Sequence, residues 1–231
     1  MTNLSSYWRR STGWGALVRA DAVENASRVR SAAMAAFSER GLGVSVKEIA
    51  RRAGVSHGTV YNLFGDKEAL VDAVVSDLVA ARLAAAVDGA LAIDDPWDGF
   101  AWYVETLCEA MATDLVMADA ISGRVSGTSR VAQICEQAHA RGSMVVERAR
   151  NAGGLRDDFV ATDLLFVFGA QAALAPAAEA VVPGSWRRGV AFMLDGLRSS
   201  SQRSRPAPAL TVMQMSEVNA RLGGTAPRPS D

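Results

Sequence analysis

Two helix-start signatures lie close together in the front third of the chain, with a glycine between them. Ser45-Val46-Lys47-Glu48 is S-x-x-E, a pattern in which the hydroxyl and the carboxylate satisfy each other's free backbone donors. Ser56 offers the second start, and Gly54 supplies the permissive backbone of a sharp turn. The chain there can form only two short helices set at an angle. Val46, Ile49, Ala50 and Ala53 give the first an apolar face, and Val60, Leu63 and Phe64 give one to the second. Helices this short do not persist alone in water, so others must pack on them. Residues 20–40 provide one, with Val29, Ala33, Ala36 and Phe37 at helical spacing and Gly41 at its end. Asp66 caps another, expected to run to about residue 88.

Everything beyond reads as helix. Pro96 fits a helix start, and the pattern continues to about residue 113. Further helices are expected over about 115–122, 128–152 (closed by Gly153-Gly154), 161–178 and 185–200. No stretch alternates cleanly enough for a strand, so the fold class is all-α. From Ser199 the chain reads as a polar linker, followed by a short terminal amphipathic helix in LTVMQMSEVNARL and a disordered end. The expected division is a flexible arm over 1–18, a three-helix unit over 19–66, a helical body over 67–200 and a flexible tail over 201–231. Hydrophobic residues at 49% and charged residues at 21% suit a globular chain. No apolar run is read as reaching the roughly 18 residues that span a bilayer. Arg and Trp interrupt the N-terminus where a signal peptide needs an apolar core, and two cysteines make no disulfide framework. The expectation is a cytoplasmic protein with no membrane partner.

The net charge of −1 hides an asymmetry. Residues 1–70 hold ten Lys/Arg against six Asp/Glu, whereas residues 71–231 hold fourteen against nineteen. A basic front on an acidic body suggests a polyanionic partner for the front alone. With Val60 and Phe64 turned inward, the third helix leaves His57, Gly58, Thr59, Tyr61 and Asn62 on or near its outward side. Such a helix fits the roughly 12 Å major groove of DNA. Gly58 adds no bulk, Thr59 offers a methyl or a hydroxyl, Asn62 suits adenine, and His57 can donate or accept. Tyr61 and the donors at the next helix start suit phosphates. Lys47 and Ser56, in the same front unit, join the candidate DNA-binding set. The turn at Gly54 gives helix-turn-helix geometry.

Residues 19–75 resemble, without a gap, the N-terminal domain of the tetracycline-repressor (TetR) family of transcriptional regulators. The resemblance rests on Ala33-x-x-x-Phe37 with Gly41, on Ile49-Ala50-x-x-Ala53-Gly54-Val55-Ser56, on Gly58-Thr59-Val60-Tyr61, and on Phe64-x-x-Lys67-Glu68-x-Leu70. It implies an Ω-shaped all-helical homodimer that binds a palindromic operator on double-stranded DNA and usually represses. It also implies that Ser45, Tyr61 and Lys67 touch phosphates and that the third helix reads bases. A small-molecule effector would sit between the helices of the body, whose last two large helices would pair with their twofold mates. Leu164–Ala175 offers small residues for that approach, and Arg187–Leu197 an apolar face.

An effector pocket needs aromatic and apolar walls with a few polar groups. The candidates are Trp102, Cys108, Met111, Met117 and Phe168 for walls, with Glu105, Gln137, His139 and Gln171 as polar orienters and Arg124 beside them. For any one of the wall residues, plain core is the simpler reading. Cys135 and His139, four apart, could hold a soft metal with Cys108, but inert thiols are the default and no metal or cofactor is expected. Phosphate-binding glycine loops, His-Glu-x-x-His and nucleophile elbows are all missing from the sequence, which argues against an enzyme. The main alternative is a DNA-binding regulator or activator that needs no effector.

Overall fold

The structure is a computed structural model that describes residues 8–123, 125, 129–200 and 208–222. The helices are α1 (Trp8–Arg40), α2 (Val46–Ala53), α3 (His57–Phe64), α4 (Lys67–Ala92) and α5 (Pro96–Thr113). They continue with α6 (Leu115–Ile121), α7 (Arg130–Asn151), α8 (Leu164–Val181), α9 (Trp186–Leu197) and α10 (Val212–Leu222). Among the described residues there is no strand, only an antiparallel bridge between Leu155 and Arg198. Residues 8–18, expected as a flexible arm, continue α1 instead. No proline interrupts them, and extending a helix already nucleated is easy. The remainder of the arm reading, the linker over 201–207, the end of the tail and the candidate Arg124 lie outside the described residues.

Helices α1 to α3 pack around Val29, Ala33, Ala36, Phe37, Ile49 and Val60, all of them buried. The caps form as the sequence suggests. Ser45 Oγ accepts from the Glu48 amide at 3.3 Å, Ser56 Oγ from Thr59 at 3.0 Å, and Asp66 Oδ1 from Ala69 at 2.7 Å. The return half of the capping box does not form. The Glu48 carboxylate turns instead to Arg51 and Arg52, at 2.8 Å and 3.0 Å, because two guanidiniums one turn away outcompete a single amide. Those hydrogen bonds, Arg51's first, hold the Glu48 carboxyl down to about 2. Gly54 takes a left-handed φ of 66°. A side chain there would also meet Arg28, which reaches from α1 to donate to the carbonyls of Ala53 at 2.6 Å and Gly54 at 3.2 Å.

Helix α4 is 26 residues long, about 39 Å at 1.5 Å per residue, and runs from the three-helix unit through the body. It continues past the expected end at residue 88 because Val87 and Ala90 are buried. Its Asp72 accepts from the first amides of α7, Arg130 at 2.8 Å and Val131 at 3.1 Å, an anion placed on a helix N-terminus. At the far end Arg148 of α7 donates to the carbonyls of Leu91 at 3.2 Å and Asp94 at 2.9 Å, closing the C-terminal end of α4. The body core is aromatic: Phe100 packs on Trp97 and Phe159, and Tyr103 meets Phe168 edge to face at 6.0 Å. Helix α9 stops at Leu197 rather than running on to 200. Its end is pinned to the α7–α8 connection by Arg156 N–H donating to Leu197 O and Ser199 N–H to Gly154 O. The tail is held too, since Thr162 Oγ1 donates to the Leu210 carbonyl at 2.8 Å just before α10.

One expectation needs correction. Ala161–Val181 contains an 18-residue window of mean hydropathy 1.6, long and apolar enough by length and composition to cross a membrane, although Thr162, Asp163, Gln171 and Glu179 keep it from being an unbroken apolar run. A third of it is buried inside the chain. The rest of α8 carries an exposed apolar stripe, Phe166, Ala170, Leu174, Ala177 and Val181, at helical spacing.

Candidate nucleic-acid interface and ligand cleft

At one end of the molecule α3 presents the outward face the sequence implied. Val60 is 2% exposed, while His57, Gly58, Tyr61 and Asn62 are exposed. The His57 and Tyr61 rings meet edge to face at 4.8 Å, which gives that face a fixed edge. Thr59 is half-buried, and its hydroxyl is 2.8 Å from that of Ser56. Ser56 is exposed but engaged in this cap, as Ser45 is in the cap of α2. Lys47 stands exposed on α2 with no ion pair among the described residues. Lys67, the first residue of α4, is half-buried. Burial lowers its pKa while the Asp119 carboxylate of α6 works the other way.

The basic front is less free than its charge suggests. Arg28 clamps the Gly54 turn, Arg30 lies over Phe64, Arg51 is paired with Glu48, and Arg52 with Glu48 and Glu39. What remains is a narrow polar helix face flanked by hydroxyls, amides and two lysines. That set can donate to phosphates and reach base edges, with no side chain arranged for covalent chemistry.

The candidate effector residues are not brought into one pocket. Cys108, Met111 and Met117 are buried in packed core, where burial, with Glu105 adding, pushes the Cys108 thiol up to about 12. Phe168 and Gln171 are buried on α8, and Gln171 Oε1 has no hydrogen-bond partner among the described residues. On α7, Gln137 is exposed and His139 half-buried, its pKa lowered by burial. Cys135, beside them, donates to the Ala120 carbonyl at 3.4 Å, and burial pushes its thiol up to about 12. These are inert thiols. Trp102 and Glu105 face a different place, a cleft of about 190 Å³ between α5 and α9. Its other walls, Thr106, Glu109, Trp186, Arg187 and Val190, escaped the sequence reading. The i, i+4 pair Glu105 and Glu109 on one face of α5 was the signal available.

A helix-turn-helix with an exposed polar reading face, mounted on an all-helical body, defines a DNA-binding regulator. The comparisons agree. A family model described as bacterial regulatory proteins, tetR family, matches residues 29–74, and one described as transcriptional regulator SbtR-like, C-terminal domain, matches 95–199. A TetR regulatory protein of Mycobacterium vanbaalenii is 31% identical, over 78% of this chain and 99% of that one, with a TM-score of 0.44. The HTH-type transcriptional regulatory protein RaaS of Mycobacterium tuberculosis is 40% identical over 70 residues, 30% of this chain. That match spans 32% of the RaaS sequence. RolR, solved in complex with resorcinol, shares the fold at 19% identity and a TM-score of 0.53, over 88% of this chain and 96% of its own. The chain belongs to the TetR family of bacterial transcriptional regulators, which bind DNA and are not enzymes.

Proposed function

We propose that the protein is a cytoplasmic homodimeric repressor that holds a palindromic operator through α3 and releases it when a small apolar or amphipathic effector occupies the body. Residues 19–66 serve as the DNA-binding unit, and residues 67–200 bind the effector and form the dimer. The exposed polar face of α3 carries the reading, since a solvent-facing His57, Tyr61 and Asn62 on a capped short helix has no structural task inside the chain. The exposed apolar stripe of α8 and the exposed Phe192 of α9 support the dimer. The resorcinol held by RolR, a protein of the same fold, supports an effector.

In a twofold dimer the two α3 helices enter successive major grooves, about 34–36 Å apart when half-sites are one turn apart. Footprinting upstream of neighbouring genes tests this, and a symmetric protected site is expected. Protection without twofold symmetry, or full binding by a monomer, would overturn it. If the footprint survives every candidate effector, the effector-independent regulator is the better description.

A further inference from the structure

The cleft between α5 and α9 is already filled in part by a group of the chain's own. The Arg187 guanidinium lies 4.5 Å over the Trp186 ring, and its Nη2 donates to Glu109 Oε1 at 2.6 Å. A planar cation is thus stacked on an indole and paired with a carboxylate at the mouth of the cavity. The stacked group is loosely held, because the Arg187 and Glu109 side chains are both more than half exposed. Exposed pairs of this kind are weak and exchange readily with solvent.

The surroundings are made for more than one arginine. Glu105 lies one turn from Glu109 on the same face of α5 and has no ion pair among the described residues, so the lining carries two carboxylates and one guanidinium. Trp102 forms a second indole wall, its ring laid across Gly89 of α4, where any larger side chain would displace it. Trp186, the first indole wall, is 3% exposed and held in place by the core.

We propose that this cleft binds a small planar organic cation, an amidinium or guanidinium on a flat ring. The cation displaces Arg187 from Trp186, pairs with Glu109 and Glu105, and lies between the two indoles. The proposal gives the effector reading above a place and a ligand class. Cation–π contact and charge together select such a ligand over a neutral one of the same shape.

The test is calorimetric titration of the full chain, without DNA, using benzamidine as the probe. Benzamide, its neutral near-isostere, and benzoate, its anionic counterpart, are the controls. Saturable binding of benzamidine alone is expected. Arg187→Ala, which removes the competing group, should tighten it several-fold, and Glu109→Gln and Glu105→Gln should each weaken it about tenfold. All three positions are exposed, so the variants should fold, which circular dichroism checks. Equal binding of benzamide or benzoate, no saturable heat with benzamidine, or weaker binding by Arg187→Ala would each overturn the proposal. Because no operator is present, a failure here leaves operator release untouched, and a failure of operator release leaves this cleft standing.

Discussion

Asn62 sits exposed on α3, six residues after the cap Ser56, and with no hydrogen-bond partner among the described residues its amide can pair with a base edge. Asn62→Ala should therefore relax preference at one base position, by about 1–3 kcal/mol of lost discrimination. Lys47→Ala should instead weaken binding to all sequences alike and lower the log–log salt slope by about one. Fluorescence anisotropy on an operator and on scrambled DNA, across a salt series, separates the two. Exchanged outcomes would mean that the roles are reversed. Glu48 makes a different prediction. Its depressed carboxyl contributes stability above its ordinary value of 4.5 and loses that contribution as pH falls towards about 2. The gap in urea midpoint between wild type and Glu48→Gln should close over that window. A gap that stays constant with pH would leave packing, not the ion pairs, as its source. Gly41 has φ +75°, and a Cβ there would run into the Asp119 carboxylate. Gly41→Ala should cost roughly 1–3 kcal/mol, read from the same denaturation curves.

Between elements, the junction of the DNA-facing unit with the body rests on a contact the sequence did not advertise. Asp119 of α6 accepts from the Leu42 amide, in the α1–α2 turn, at 2.7 Å. Its charge also acts on Lys67 at the start of α4, so one carboxylate of the body influences two parts of the front of the chain. Asp119→Ala should speed amide exchange at Leu42 by about tenfold, the size of one lost hydrogen bond, while α8 exchanges as before. Unchanged protection would show that packing alone holds the turn. Caps at Ser45, Ser56 and Asp66 and the inward faces of α2 and α3 could be read because the determining groups lie within four residues of one another. Asp119 to Leu42 spans 77 residues, and Arg28 to Ala53 spans 25, so no local pattern announces them. The same holds for the ligand region. Trp102 and Glu105 are on α5, but their partners Trp186 and Arg187 arrive only when α9 folds back across it. Met111 and Met117, equally apolar by composition, went into the core instead.

For the molecule as a whole, the decisive question is what covers the apolar side of α8. Phe166 is 62% exposed, Leu174 58% and Val181 81%, and Phe192 of α9 is 62% exposed. A stripe of that size on one helix is costly in water and sits where small residues, Ala170, Ala173 and Ala177, permit close helix approach. A twofold mate presenting the same stripe would bury both copies, since such an interface is self-complementary. It would also fix the separation of the two α3 helices, so loss of the dimer costs DNA binding without touching any DNA contact. In such a dimer Leu174→Glu would place like charges within the interface, and because Leu174 is exposed it leaves the monomer's own core intact. Sedimentation is expected to show a dimer for the wild type and a folded monomer for the variant. Operator affinity should fall by about a hundredfold or more, because the second half-site is no longer held at high effective concentration. Binding to a single half-site should be unaffected. A Leu174→Glu protein that remains dimeric would place the interface elsewhere, and a monomer that keeps full operator affinity would remove the need for a dimer.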